Sequence, residues 1–126
     1  MTTSHDDPTQ VVKALVAAFN GDDLAAIEGL YEPDSVLIPR AGMEPVSGPD
    51  RMAGFARLRE LGLPMKAEVR HSYIVDGIAL LVVDWSIQGT APDGREMNLS
   101  GTGTDVFRRG ADGTWRYLID NPDGGA

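Results

Sequence analysis

Cysteine is absent from the 126-residue chain. That excludes a disulfide framework, a thiolate zinc site and thiol catalysis. Histidine occurs only twice, and 11 lysines and arginines stand against 19 aspartates and glutamates. The resulting formal charge of −8 argues against a nucleic-acid backbone or an anionic membrane surface as partner. No run approaches the ~20 apolar residues that a membrane-crossing helix needs. The N-terminal residues are polar and acidic, without an apolar leader core. A soluble cytoplasmic protein is the expectation. The apolar content of 42% is enough to build a core, and the length suits one domain spanning 1–126, ordered over about 8–122.

Met1 to Asp6 reads as a loose tail. Asp7-Pro8-Thr9-Gln10 then opens a helix, with Asp7 as cap and Pro8 at the first helical position. Val12, Leu15, Val16 and Phe19 recur at helical spacing, and Asn20-Gly21 ends the helix. Asp22 caps a second helix with Leu24, Ile27, Leu30 and Tyr31 on its apolar face, and Pro33 ends it. A short strand at 35–38 and a loop at 39–45 follow. Gly48-Pro49-Asp50 opens a third helix, with Met52, Phe55, Leu58 and Leu61 facing inward. The remainder reads as strands over 65–76, 77–88, 96–109 and 114–120, with turns at Asp76-Gly77, Pro92-Asp93-Gly94 and Asp112-Gly113. Residues 121–126 read as a tail. Three helices followed by a meander predict an α+β fold, a cone-shaped curved antiparallel sheet covered by the three N-terminal helices.

Side-chain alternation divides the strands into two faces. Pairing outward from the turns puts Val69, His71, Tyr73, Leu80, Val82, Asp84, Gly101, Gly103, Asp105, Phe107, Arg116, Leu118 and Asp120 on one face. The other face carries Leu81, Val83, Trp85, Ile87, Thr102, Thr104, Val106, Trp115, Tyr117 and Ile119. The first is expected to line the cavity. The second, with two Trp and a Tyr, is larger than a monomer usually exposes, so a homodimer is expected through Trp85, Trp115 and Tyr117.

Asp84, Asp105 and Asp120 are the sharpest chemical feature. Carboxylates gathered in an apolar cavity lose hydration and repel one another, which suits at least one of them to acid or base work. The alternative is that they sit solvated at strand ends, paired with Arg40 or Arg116. His71 beside Asp84 is a candidate oriented acid/base partner or else a wall residue. Tyr73, Arg40 and Asp84, with apolar Val82, Leu118 and Phe19, are candidate ligand contacts. No metal-ligand spacing occurs, and Gly101-Thr102-Gly103 opens no helix and is not a phosphate loop. The glycines there leave room for a ligand or bend the strand. Neither a metal nor a cofactor is expected.

Several segments carry a family resemblance. They are Val11-Val12-x-x-Leu15-Val16-Ala17-Ala18-Phe19-Asn20-Gly21-Asp22-Asp23-Leu24, Tyr31-x-Pro33-Asp34-Ser35-Val36 and Val46-Ser47-Gly48. Gly101-x-Gly103-x-Asp105-Val106-Phe107-Arg108-Arg109 and Gly113-x-Trp115-Arg116-Tyr117-x-Ile119-Asp120-Asn121-Pro122 continue it. Over residues 8–122 the chain resembles the nuclear transport factor two-like superfamily, which includes ketosteroid isomerases and SnoaL-like polyketide cyclases. The resemblance implies a cystatin-like α+β barrel and a small apolar, polyketide-like or steroid-like ligand. The isomerase tyrosine falls on Leu15 and the isomerase base on Ile38, while the second oxyanion-hole acid matches Asp105. Ketosteroid isomerisation is therefore not expected. The aspartate pair of limonene-epoxide hydrolases is matched by Asp105 and Asp120, but their bridging arginine falls on Gly103. The cavity acid of SnoaL-like cyclases, with its nearby His, is matched by Asp105 or Asp120 with His71. The expectation is a cofactor-independent acid/base enzyme with Asp105, Asp120 and His71 as catalytic residues. The alternative is a ligand-binding or association module without chemistry.

Overall fold

The computed structural model describes residues 7–125, so the expected tail at 1–6 lies outside the described residues. Helix α1 spans Pro8–Asn20, and the Asp7 side chain accepts from Thr9 N at 2.7 Å. Helix α2 is shorter than expected, Leu24–Glu28. Its cap is Asp23, which accepts from Ala26 N at 3.1 Å, while Asp22 takes φ +57° in the link between the helices. Strand β1 spans Tyr31–Leu37, so Tyr31 opens a strand instead of closing a helix. Helix α3 spans Gly48–Arg59, and β2 Met65–Val75, β3 Ile78–Thr90, β4 Glu96–Arg109 and β5 Trp115–Asp120 complete the chain.

The sheet order is β1-β5-β4-β3-β2. Three pairings are antiparallel, but β1 runs parallel to β5, so the sheet is mixed. No pairing joins β1 to β2, and the curved sheet stays open. Pro33 is tolerated within β1 because that strand lies at an edge, where a missing N–H breaks no ladder. The helices pack onto the concave face around Val11, Phe19, Ile27, Leu81, Ile87 and Phe107, all fully buried. The Asn20 carboxamide ties α1 to β2, accepting from Met65 N at 2.7 Å and donating to Met65 O at 3.0 Å. Among the described residues no helix is long and apolar enough to cross a membrane.

Register decides which side chains meet. The β2–β3 turn, Asp76-Gly77, has φ of +47° and +76° and pairs Tyr73 with Leu80, as expected. An irregularity between Val69 and His71 then moves Val69 to the opposite face. The β3–β4 connection is the five residues Ala91–Arg95, closed by Ala91 N to Arg95 O at 2.8 Å. An odd loop pairs Val83 with Gly103 and Leu81 with Asp105. This overturns the expected faces of β3. Leu81, Val83, Trp85 and Ile87 point to the helices, and Leu80, Val82 and Asp84 point away. The β4–β5 connection likewise pairs Phe107 with Tyr117 and Arg108 with Arg116, turning Trp115 and Tyr117 inward.

The homodimer surface expected at Trp85, Trp115 and Tyr117 is therefore corrected. Trp115 and Tyr117 are buried within the monomer and Trp85 lines its cavity. Exposed apolar side chains lie on the convex face instead, where Tyr73, Val75, Ile78 and Leu80 are 58%, 70%, 42% and 40% exposed.

Candidate active site

Between the helices and the concave sheet lies a cavity of about 740 Å³, within the range of small-molecule sites. Its walls are mainly apolar: Val12 and Leu15 from α1, Phe55, Leu58 and Leu61 around α3, and Val83, Trp85 and Ile87 from β3. Asp105, Asp120, Tyr117 and Arg51 supply its interior polar groups.

Asp105 and Asp120 come together because of a second irregularity. Between Val106 and Phe107 the β4–β5 register shifts, so that Val106 pairs with Ile119 while Phe107 pairs with Tyr117. The extra residue turns Asp120 to the same side as Tyr117. The two carboxyls lie close enough for each to shift the protonation of the other. Asp105 also accepts from Asn121 N at 2.9 Å, and Asp120 accepts from the Tyr31 hydroxyl at 2.6 Å. Tyr31 is held by stacking on Tyr117, with ring centroids 4.6 Å apart.

Burial pushes Asp105 well above the ordinary carboxyl range, and the charge of Asp120 adds to the shift. Asp120 is also raised by burial, but hydrogen bonds from Tyr31 and Asp105 and the charge of Arg51 oppose it. Burial thus favours the neutral form of both carboxyls, and at Asp120 the bonds from Tyr31 and Asp105 work against it. Tyr31 and Tyr117 are both raised well above their usual value, chiefly by burial, and stay as phenols.

The other expected contacts are distributed differently. Asp84 lies on the convex side, hydrogen-bonded by Thr102 at 2.8 Å and ion-paired with Arg70 at 2.7 Å. Those two bonds, Thr102 first, lower its pKa instead of raising it. His71 and Tyr73 are exposed on that same face, ring centroids 6.2 Å apart. Their side chains cannot reach ligand in the cavity, and neither can those of Asp84 or Val82, because the sheet intervenes. Leu118 is half-buried and does not line the cavity. Phe19 is fully buried against Phe55, with centroids 6.3 Å apart, and serves the core. Arg40 does line the cavity, from the loop after β1.

Three contributors went unforeseen. Tyr31 was hidden by its apparent place on a helix face. Arg51 is buried in the first turn of α3, with Nη1 donating to Ser35 Oγ at 2.8 Å. Its signal was an arginine spaced one turn before Phe55, on the inward face. The segment 121–125 is no loose tail: Trp85 Nε1 donates to Pro122 O at 2.8 Å, and Gly125 N donates to Thr102 O at 2.8 Å. Gly103 makes room for this segment, since a Cβ there would meet Asn121 O and Pro122 Cα at 3.3 Å. Pro122 and Asp123 thereby become cavity wall, and the room left by Gly103 goes to the chain itself and not to a ligand. Among the described residues no three His, Cys, Asp or Glu side chains gather as a metal-ligand set.

Comparison with known proteins gives this geometry a family. A conserved protein of Planctomyces limnophilus superposes with a TM-score of 0.80 at 21% identity, covering 90% of this chain and 89% of that one. A ketosteroid isomerase-like protein of Erwinia carotovora gives 0.73 at 22% identity, covering 89% and 88%. A candidate calcium/calmodulin-dependent protein kinase II association domain of Xanthomonas campestris gives 0.69 at 18% identity, covering 90% and 82%. At these identities the likeness shows the fold. None of the curated proteins compared with the chain matches it. The SnoaL-like domain matches residues 12–118, and the chain belongs to the SnoaL-like family.

Proposed function

We propose that the chain is a cofactor-independent acid/base enzyme acting on a small oxygenated molecule with an apolar skeleton. The carrying observation is the Asp105–Asp120 pair, buried together in a mainly apolar cavity, with both carboxyls raised by burial. Their contacts suggest the roles: Asp105 donates a proton to a ligand oxygen, and Asp120, held by the Tyr31 hydroxyl, takes one from a ligand carbon or from a water. Tyr31 fixes the Asp120 carboxylate, and Asn121 N fixes Asp105. The proton gained by Asp120 returns to the neighbouring Asp105, so the cycle closes without an electron carrier. Isomerisation, cyclisation and hydration all fit this proton traffic. Turnover by the wild-type chain in a panel of cyclic ketones, lactones and epoxides, abolished by Asp105→Asn, is the supporting result. Unchanged turnover in that variant removes Asp105 from the mechanism.

A homodimer belongs to the same reading. The convex strip of Tyr73, Val75, Ile78 and Leu80 favours a second copy as its cover, because one apolar patch set against its two-fold mate is self-complementary. The family likeness to an association domain agrees with this. An association module without chemistry is the competing reading, and it is the one supported if the whole panel goes unturned.

A further inference from the structure

Arg51 is buried to 3% exposure in the first turn of α3, where the helix dipole opposes a cation. Both of its hydrogen bonds come from Nη1, to Ser35 Oγ at 2.8 Å and Ser35 O at 3.5 Å. Nε is shut off from solvent and has no partner. The guanidinium lies over the Tyr31 ring, 4.2 Å from its centroid, which holds its plane in place. A guanidinium presents five N–H donors, and here the edge bearing Nε is uncommitted.

The remaining arginines sharpen the point. Arg59, Arg70, Arg95, Arg108 and Arg116 each have a carboxylate partner. Among the described residues Arg40, Arg51, Arg57 and Arg109 have none, and the first three all line the cavity. Arg40 and Arg57 are exposed at its mouth and Arg51 is buried within it.

We propose that the cavity takes an organic carboxylate, with Arg51 anchoring the carboxylate and Arg40 and Arg57 drawing the anion inward. A singly charged carboxylate suits a guanidinium that lines the cavity, is fixed over Tyr31 and has donors to spare. A phosphate dianion fits less well, because the ionised Asp120 lies close enough to Arg51 for their charges to couple. The apolar walls take the rest of the ligand. This inference rests on the reading of the cavity as a ligand site, but not on acid/base chemistry at the aspartate pair.

Isothermal titration of the full chain at neutral pH tests it with three acid/amide pairs: 2-naphthoate and 2-naphthamide, cyclohexylacetate and its amide, octanoate and its amide. At least one acid is expected to bind about tenfold or more tightly than its amide. Arg51→Met should bring that acid down to the affinity of its amide and leave the amide unchanged. Arg51→Lys, which keeps the charge but not the planar group held over Tyr31, should weaken acid binding to an intermediate value. Three pairs without any acid preference in the wild-type chain overturn the proposal, whatever the variants do. So does a preference that persists in Arg51→Met. Acid preference that persists while Asp105→Asn keeps full turnover means that the carboxylate site stands and the acid/base reading fails.

Discussion

Tyr31 donates its hydroxyl proton to Asp120 across 2.6 Å, joining the first residue of β1 to the last residue of β5. The bond crosses the parallel edge pairing and sits beside the Arg51 guanidinium. It opposes the rise that burial imposes on the Asp120 carboxyl. Tyr31→Phe leaves that oxygen unpaired, at a cost of about 1–3 kcal/mol measured by chemical denaturation. The Asp120 pKa should rise in the same variant, since the lost hydrogen bond is the largest influence lowering it. An unchanged carboxyl titration by NMR would show that the bond does not hold the charge.

Folding raises the pKa of Asp105, so the folded chain retains a proton that the unfolded chain releases. Stability from this group is fully present below the unfolded carboxyl value of about 3.9. It is lost as pH rises through the raised folded value. Asp105→Asn mimics the protonated acid in shape and removes the titration. The variant is expected to unfold at higher denaturant than wild type under alkaline conditions, with the gap narrowing as pH falls toward 4. A gap that stays constant with pH would mean that Asp105 is not the proton holder.

The same substitution removes the proposed proton donor. Loss of a positioned general acid reduces turnover by roughly 10²–10⁴-fold. Asp84→Asn and His71→Ala, on the convex face, are expected to leave kcat and KM where they were. Loss of turnover in Asp84→Asn would put the reacting centre on the wrong side of the sheet.

Oligomeric state can be read by sedimentation. The wild-type chain is expected to sediment as a dimer at micromolar concentration, and Leu80→Glu as a folded monomer of 13.5 kDa whose Tm no longer depends on protein concentration. Trp115→Ala should instead destabilise the monomer itself by about 3–5 kcal/mol, because that ring is core. A monomeric wild-type chain would remove the convex strip as an interface.

Gly103→Ala drives a methyl group against Asn121 O and Pro122 Cα. The backbone segment behind them must yield, at a cost of about 1–3 kcal/mol. Because Trp85 is hydrogen-bonded to Pro122 O, its fluorescence should shift as the segment moves. An unshifted spectrum would show that residues 121–125 are not part of the wall.

The starts of α1 and α3, the four later strands and the turn positions followed from local chemistry: a capping aspartate, a proline in the first turn, Asp-Gly pairs between apolar runs. The second helix and the first strand did not, and neither did the faces. Pro92-Asp93-Gly94 marks where the chain turns, but the faces depend on the residue about which the pairing is centred, and the bond from Ala91 N to Arg95 O centres it on Asp93. Irregular pairing is equally silent in sequence. The expected meeting of Asp105 with Asp120 is realised, yet by a shift near Val106 that offsets the odd loop at Gly110–Thr114. His71 and Asp84 had no such compensation and were carried to the outside. Arg51 was obscured for another reason, since a charged residue near a helix start gives no sign of burial until the element facing it is known.

The Ala91–Arg95 connection therefore clamps a register as well as making a turn. Its closing bond leads into the pairing that sets Leu81 opposite Asp105. A slip of that pairing by one residue would turn Asp105 and Phe107 toward solvent and bring Thr104 and Val106 under the helices. The orientation of the buried acid thus depends on a backbone contact at the far end of its own hairpin.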